Sequence, residues 1–438
     1  MTAPLRIPFP VVDEVSRHCA QEAEPETVHI EVHLPGRLDR DRLRKAFTEA
    51  LRRHPRVLMR EAGGPWYRRR YEWELTDGPD VEVVTFAPPG AAALRDARTR
   101  ALTEAPPLTA SPPVRLEVIP SGGPSDGRAG GGEGDSPAPP PGGTALVLTL
   151  NHTALDGPAC LRIVATAAEI YGGRDNAPAA PPVRPADEPQ PPPDLPSNWS
   201  PPARVAPGRP GTVPGNGLLV TELTLPHRPK GSPYTVNDQL MAATALTLVH
   251  WNREHGARPR PLRITMPVDD RPRDAGMPIG NGTRLVEVPF APEELDPALM
   301  PELLRRTARR TRALKALSRP QLGHGAALLT APWAPVVCRA ALTRALRRTA
   351  APWTSTTLLS NIGRIPYPLD FGEEAGRALA VWFSAPARMP RGLTFTTAST
   401  AGRLHLSLRW SRTLLGHGDA VRLRELFTHY LHATEATP

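Results

Sequence analysis

The chain has 438 residues, enough for two or three units at about 150 residues each, and 40% of it is hydrophobic, which suits a packed core and excludes full-length disorder. Its 56 prolines and 35 glycines follow no period, which excludes collagen and points to long loops. Lys and Arg number 53 against 44 Asp and Glu, and the formal charge of +9 favours an acidic partner: a phosphate-bearing cofactor, an acidic carrier protein or nucleic acid. Cys19, Cys160 and Cys338 are odd in number and far apart. They suggest neither a disulfide framework nor a Cys-rich zinc site, and they fit a reducing, cytoplasmic interior. No apolar run approaches the ~18 residues of a membrane span, and the start lacks the apolar core of a signal peptide. The glycosylation-like triplets at Asn151, Asn198 and Asn281 therefore read as accidental.

In chain order, residues 28–34 alternate like a half-buried strand, and 40–53 follow as a helix. In that helix Leu43, Ala46, Phe47, Ala50 and Leu51 recur at helical spacing, Asp39 is the N-cap and Pro55 the stop. Short strands are expected over 57–86 and a helix over 91–104. Val114–Ile119 and Ala145–Leu150 read as buried strands. Between them, 120–143 is a Gly/Pro-rich insertion that cannot build a core and reads as a flexible loop. A helix starts at Pro158 and runs to Tyr171. Residues 173–216, dominated by proline, read as a semi-extended linker, giving an N-terminal lobe over 1–172 and a C-terminal lobe over 217–438. The second half opens with the strand Leu218–Leu225 and the helix Val236–Trp251. Strands are then expected at 262–266 and 283–289, a basic helix over 301–318, strands at 355–360, 378–384, 393–400 and 403–410, and a last helix over 418–432. Strands and helices mix in both halves, so the fold class is α/β or α+β.

The segment Leu148-Thr-Leu-Asn-His152-Thr-Ala-Leu-Asp156-Gly157-Pro158 carries the chemistry. A buried strand delivers a histidine to its end, and four residues later an Asp-Gly starts a helix. A histidine there suits general-base work on an alcohol or amine, or a purely structural role. Asp156 either caps the helix or fixes the turn through an ion pair.

His152-x-x-x-Asp156-Gly157 resembles the HxxxDG motif of the chloramphenicol acetyltransferase-like superfamily, which includes condensation domains, polyketide-associated O-acyltransferases and plant alcohol acyltransferases. Four further stretches resemble the same group in the same order: GRLDRDRLRKAFTEALRRHPRV, TVNDQLMAATAL, ITMPVDDRP…IGNGT and TSTTLLSNIGRIP. The resemblance spans roughly residues 28 to 432. It implies two similar lobes, each a mixed sheet flanked by helices, that meet at a central tunnel. It also implies acyl transfer from a thioester, on coenzyme A or on the phosphopantetheine of an acyl or peptidyl carrier protein, to a small-molecule alcohol or amine. No permanently bound cofactor, metal or acyl-enzyme is expected.

By the same resemblance His152 is the general base, and Asp156 is structural and paired with Arg271. Asn361 orients the reacting groups or donates to the oxyanion, with Ser360 beside it on the tunnel wall. Gly157 supports the helix start, and Asn281 is a structural match. One departure concerns Asn151, which stands where many condensation domains have a first histidine. It favours an ester-forming acyltransferase of specialised metabolism over an amide-forming condensation enzyme, with an inactive, partner-recruiting module as a third possibility.

Tyr67-Arg-Arg-Arg-Tyr71-Glu-Trp73 interleaves bases and aromatics, but no nucleic-acid signature accompanies it, so a strand edge is expected and no nucleic-acid partner. The arginines at 305, 306, 309, 310 and 312 could dock the acidic donor or form an ordinary solvated helix face. A monomer is expected.

Overall fold

The computed structural model describes residues 4–90, 92–121, 137–174, 200–272, 276–317, 322 and 324–435. The central part of the 120–143 insertion and residues 175–199 of the Pro-rich segment lie outside the described residues. Two large sheets organise the chain. The first has five strands, ordered β12 (Ala380–Ser384), β2 (Thr27–Leu34), β7 (Thr144–Asn151), β6 (Val114–Pro120) and β5 (Val84–Phe86). The second has six, ordered β10 (Arg284–Phe290), β9 (Leu262–Val268), β11 (Thr357–Arg364), β13 (Leu393–Thr400), β14 (Arg403–Ser411) and β8 (Asn216–Thr224). A small sheet of β1 (Arg6–Pro8), β4 (Glu72–Leu75) and β3 (Met59–Glu61) completes the set. The chain is thus a mixed α/β protein whose sheets are flanked by helices.

One face of the first sheet, carrying Val28, Ile30, Val32, Leu146, Leu148 and Leu150, packs on α2 (Arg40–Arg53) and α4 (Gly157–Tyr171). The apolar repeat of α2 falls on its buried face, and Asp39 caps it by accepting from the Arg42 amide at 2.8 Å. β2 is buried on both faces rather than one. Of its polar residues, Thr27 accepts from Arg409 at 3.1 Å, and Glu31 is covered by α3 (Ala93–Thr103), whose Arg98 grips it through two hydrogen bonds of 2.8 and 2.6 Å. Burial alone would raise the Glu31 carboxyl, but Arg98, His29 and His33 hold it well below the usual carboxylate range. A buried charge is tolerated here because it is paired and fully hydrogen-bonded.

The sheets do not divide in chain order. β12 comes from the second half yet forms the edge of the first sheet, pairing antiparallel with β2 from Ala380 opposite His33 to Ser384 opposite His29. The approach to it also packs in the first core, through Tyr367, Leu369 and Phe371. Within the Pro-rich segment, residues 202–206 pack onto the body, whereas 207–214 are mostly exposed and irregular as a linker would be. Ala203, Val205 and Ala206 are buried in the second core, and Trp251 and Asn252 of α5 (Val236–Glu254) tie them down, with Trp251 Nε1 donating to the Ala206 carbonyl at 2.9 Å. Burying that strip satisfies its backbone groups, which an extended proline-rich span would leave to water.

α6 (Met300–Ala316) and α9 (His417–Ala433) flank the second sheet with α5, which starts on a capping box between Thr235 and Asp238. Three helices have no counterpart in the sequence reading: α1 (Val11–Cys19), α7 (His324–Thr330) and α8 (Val336–Thr349). α1 turns Asp13, Glu14 and His18 inward, the reverse of an apolar repeat. No helix among the described residues is long and apolar enough to cross a membrane.

Candidate active site

β7 ends at Asn151, and the chain turns tightly before α4. The Asn151 side chain shapes that turn by accepting from the Thr153 amide at 3.1 Å and donating to the Pro106 carbonyl at 3.0 Å. The His152 amide donates to the Glu26 carbonyl at 2.7 Å, which anchors the residue to the strand beside it. The ring's Nδ1 lies 2.9 Å from the Leu155 carbonyl oxygen. A carbonyl only accepts, so Nδ1 carries the proton and Nε2 carries the lone pair. His152 lines a cavity of about 290 Å³, together with Gly157, Ser360, Asn361, Phe383 and Arg391.

Asp156, only 2% exposed, performs both roles open to it, one with each oxygen. Oδ1 caps α4 by accepting from the Ala159 amide at 3.0 Å. Oδ2 accepts from Arg271 Nη2 at 2.7 Å and from the Gly282 amide at 2.8 Å. Arg271 also grips Asp269 through Nε at 2.8 Å and Nη2 at 3.1 Å, and donates to the carbonyls of Pro278 and Gly280. Position 282 must be glycine, because a Cβ there would lie 2.3 Å from Arg271 Nε. The Asp156–Arg271 pair thus locks the His152 turn to the loop after β9, 115 residues away in sequence.

Asn281 adds a second lock. Its Nδ2 donates to Asp13 Oδ1 at 2.9 Å, and it lies 3.2 and 3.0 Å from the carbonyls of His152 and Thr153. Asp13 also accepts from Trp73 Nε1 at 2.8 Å. Burial pushes the Asp13 carboxyl up to about 6, against the lowering pull of these hydrogen bonds and of His152.

Ser360 and Asn361 enter the cavity from β11. Asn361 Oδ1 accepts from the Gly363 amide at 2.9 Å and from Thr397 Oγ1 at 3.1 Å, closing a bulge where β11 slips against β13. Gly363 sits at φ 75°, the left-handed region that glycine enters without strain. With its oxygen held, the amide is turned so that Nδ2 donates to Asn237 at 3.3 Å and keeps a second N–H for another acceptor. The structure therefore brings His152, Asp156, Gly157, Arg271, Asn281, Ser360 and Asn361 to one place.

No family model matches the chain. An uncharacterized protein of Mycobacterium tuberculosis is 28% identical over 405 residues, covering 83% of this chain and 84% of that one. Among solved structures, the trichothecene 15-O-acetyltransferase TRI3 of Fusarium sporotrichioides superposes with a TM-score of 0.63 at 12% identity, over 98% of this chain and 95% of that one. The condensation domain of the monacolin K polyketide synthase MokA gives 0.63 at 14% identity, over 100% and 99%. The starter condensation domain of rhizomide synthetase RzmA, in complex with C8-CoA, gives 0.62 at 13%, over 99% and 95%. The chain has the condensation-domain fold.

On this condensation-domain fold, sequence reasoning missed the wall contributed by α1. Ser16 and Glu26 line the cavity and hydrogen-bond each other, and Glu26 pairs with Arg388. No motif marks them, and only the inward-facing polar residues of α1 could have drawn attention to the helix. In the Tyr67–Trp73 stretch Tyr71 and Trp73 are buried, Arg68 pairs with Glu61 and Tyr67 is exposed; Glu72 and Trp73 open β4, which is the middle strand of the small sheet rather than an edge, because β1 and β3 pair on either side of it. Among the described residues no group of three His, Cys, Asp or Glu side chains could hold a metal ion.

The basic helix α6 differs from a docking face. Arg310 is buried against Glu294 at 2.6 Å, and Arg306 contacts Glu302 and Glu294 at 3.1 and 3.4 Å. Arg305 and Arg309 lie 3.2 and 3.8 Å from Glu302, and none of these arginines lines the cavity. Exposed pairs of this kind contribute about 0–1 kcal/mol each. Reversing Arg305 and Arg309 to Glu should therefore change a donor's KM by less than about twofold at low salt. A large rise, erased at high salt, would return this helix to the docking role.

Proposed function

We propose that this protein transfers an acyl group from a thioester, on coenzyme A or on the phosphopantetheine of a carrier protein, to a hydroxyl, as a step in specialised-metabolite biosynthesis. The observation that carries the reading is the pinned tautomer of His152, whose Nδ1–H is held by the Leu155 carbonyl while the ring lines the cavity. Nε2 takes the proton of the acceptor hydroxyl as its oxygen attacks the thioester carbonyl. The tetrahedral oxyanion is within the chemistry of Asn361, whose free N–H is a preorganised donor. Collapse breaks the C–S bond, and the imidazolium returns its proton to the departing thiolate, leaving ester, thiol and neutral histidine. Asp156 and Arg271 hold the turn and exchange no proton.

The named neighbours support the setting, since they include an O-acetyltransferase and the condensation domains of a polyketide synthase and of rhizomide synthetase, the last in complex with C8-CoA. Asn151 supports the ester reading. Its side chain is engaged with the backbone at both ends and offers no second imidazole beside His152. The test offers octanoyl-coenzyme A and an octanoyl carrier protein against a panel of alcohols and amines, with products read by mass. Ester formation that depends on His152 is the expected result. Amide products alone would move the protein to the peptide-forming class, and no transfer from either donor would overturn the reading.

A further inference from the structure

The cavity contains an arginine that forms no ion pair with a carboxylate among the described residues. Arg391 lies in the segment joining β12 to β13 and lines the cavity wall. Its Nε and Nη2 donate to Ser355 Oγ at 3.1 and 2.9 Å, and Nη2 also to Thr265 Oγ1 at 3.2 Å. Both partners are neutral hydroxyls. Nη1 has no hydrogen-bond partner among the described residues and is not sealed from solvent. The site's other arginines are arranged differently: Arg388 is paired with Glu26, and Arg271 with Asp156 and Asp269. Burial pulls the Arg391 pKa down to about 10, with Glu287 offsetting part of this and Arg388 and Arg347 adding like charge, so the group is still cationic at neutral pH.

A cation withdrawn from water without a counter-charge is costly unless something compensates it. Hydroxyl dipoles compensate only in part. Ser355 and Thr265 fix the plane of the guanidinium by its Nε/Nη2 edge, which leaves Nη1 as the donor that no described residue engages. The remaining wall is mostly apolar, with Val12, Val15, Leu161, Leu285 and Phe383, and the carboxylates on it are already paired, Glu26 with Arg388 and Asp156 and Asp269 with Arg271. One cation without a carboxylate partner among the described residues, in a mostly apolar cavity, matches a ligand with an apolar body and one singly charged oxyanion. A phosphate monoester, which carries more charge, would require further cations.

We propose that Arg391 binds the carboxylate of the acceptor, so that the protein acts on a hydroxy acid with an apolar body. The identity of the acceptor rests on the acyl-transfer reading, whereas the anion site stands by itself. The remaining source of a single negative charge is the phosphodiester of a donor's phosphopantetheine arm, and the experiment separates the two.

Calorimetry on the full chain would compare 3-hydroxydecanoate with its methyl ester, which share the body and differ in charge. Wild-type protein should bind the acid at least about tenfold more tightly, in line with one charge-assisted contact in a partly dry site. Arg391→Gln should erase the preference while leaving the ester's affinity and the melting temperature unchanged, and Arg391→Lys should retain part of it. Acyl transfer to the same two compounds would be followed in parallel. Discrimination in binding without acylation would sink the acyl-transfer reading and leave the anion site standing. Equal binding of acid and ester by wild type would overturn the proposal. So would an equal loss of both in Arg391→Gln, which would make the arginine purely structural. A variant that loses affinity only for coenzyme A or for a phosphopantetheinylated carrier protein would overturn it as well, assigning the charge to the donor.

Discussion

His152→Ala should abolish acyl transfer and leave the fold intact, with a fall in kcat on the order of 10²-fold or more, the lower range for removal of a general base. The backbone of residue 152 keeps its bond to the Glu26 carbonyl whatever the side chain. The Asp156 network that shapes the turn does not pass through the imidazole. The substitution therefore removes one side-chain hydrogen bond, to Leu155, which contributes about 1 kcal/mol. The melting temperature should move little while turnover collapses. Substrate affinity should also change little, because the apolar wall and Arg391 are untouched, so the loss should fall on kcat rather than KM. His152→Gln sharpens the measurement, since an amide can donate to Leu155 but cannot take up the acceptor's proton at neutral pH. It should be as inactive as the alanine variant. Near-normal turnover in either would remove His152 from the chemistry and turn attention to Glu26, a carboxylate that lines the same cavity.

The strands that an apolar pattern could mark were legible in the sequence. Val114–Ile119 and Ala145–Leu150 fall inside β6 and β7, and the core positions of α2 are those its spacing indicates. What the pattern could not give is which neighbour covers a face. The alternation in 28–34 reads as a strand with one wet side, yet Glu31 is buried because Arg98, from a helix 67 residues on, neutralises it. Likewise nothing local assigns Ala380–Ser384 to the first sheet, because that pairing is made with a strand some 350 residues earlier. The site divides in the same way. His152, Asp156 and Arg271 were found through ordered motifs, and their contact follows the resemblance. Asp13, Ser16 and Glu26 carry no motif: the first two matter because α1 presents a polar face to the His152 turn, and Glu26 because the start of β2 runs beside it.

Asp156→Ala and Arg271→Ala should each lower both stability and activity, and the double variant should lose less than the sum of the two. Removing Asp156 deprives three donors at once: the Ala159 and Gly282 amides and Arg271 Nη2. Arg271 still holds Asp269, so its charge is not orphaned, but two buried or partly buried amides are. Leaving buried donors unsatisfied costs about 1–3 kcal/mol each, so a loss of roughly 2–6 kcal/mol is expected for the two. Removing Arg271 instead leaves Asp156 with its two amide partners and leaves Asp269 beside it without the guanidinium. Breaking a buried pair from one side costs about 3–5 kcal/mol at the upper end. Because the two side chains meet at 2.7 Å, the cycle should return a coupling of about 0.5–3 kcal/mol. Asp156→Asn is the stricter test of geometry. Its oxygen can serve only one side, and its amide would place N–H groups against either Ala159 or Arg271 and Gly282. The isosteric change should therefore be nearly as damaging as alanine, where a merely steric role would leave it mild. Activity should follow stability only in part, since a loosened turn also misplaces Nε2 in the surviving folded molecules. Denaturant midpoints together with kcat on the four proteins of the cycle separate the two effects. Additive losses would mean that the turn carrying His152 is held by something other than this pair.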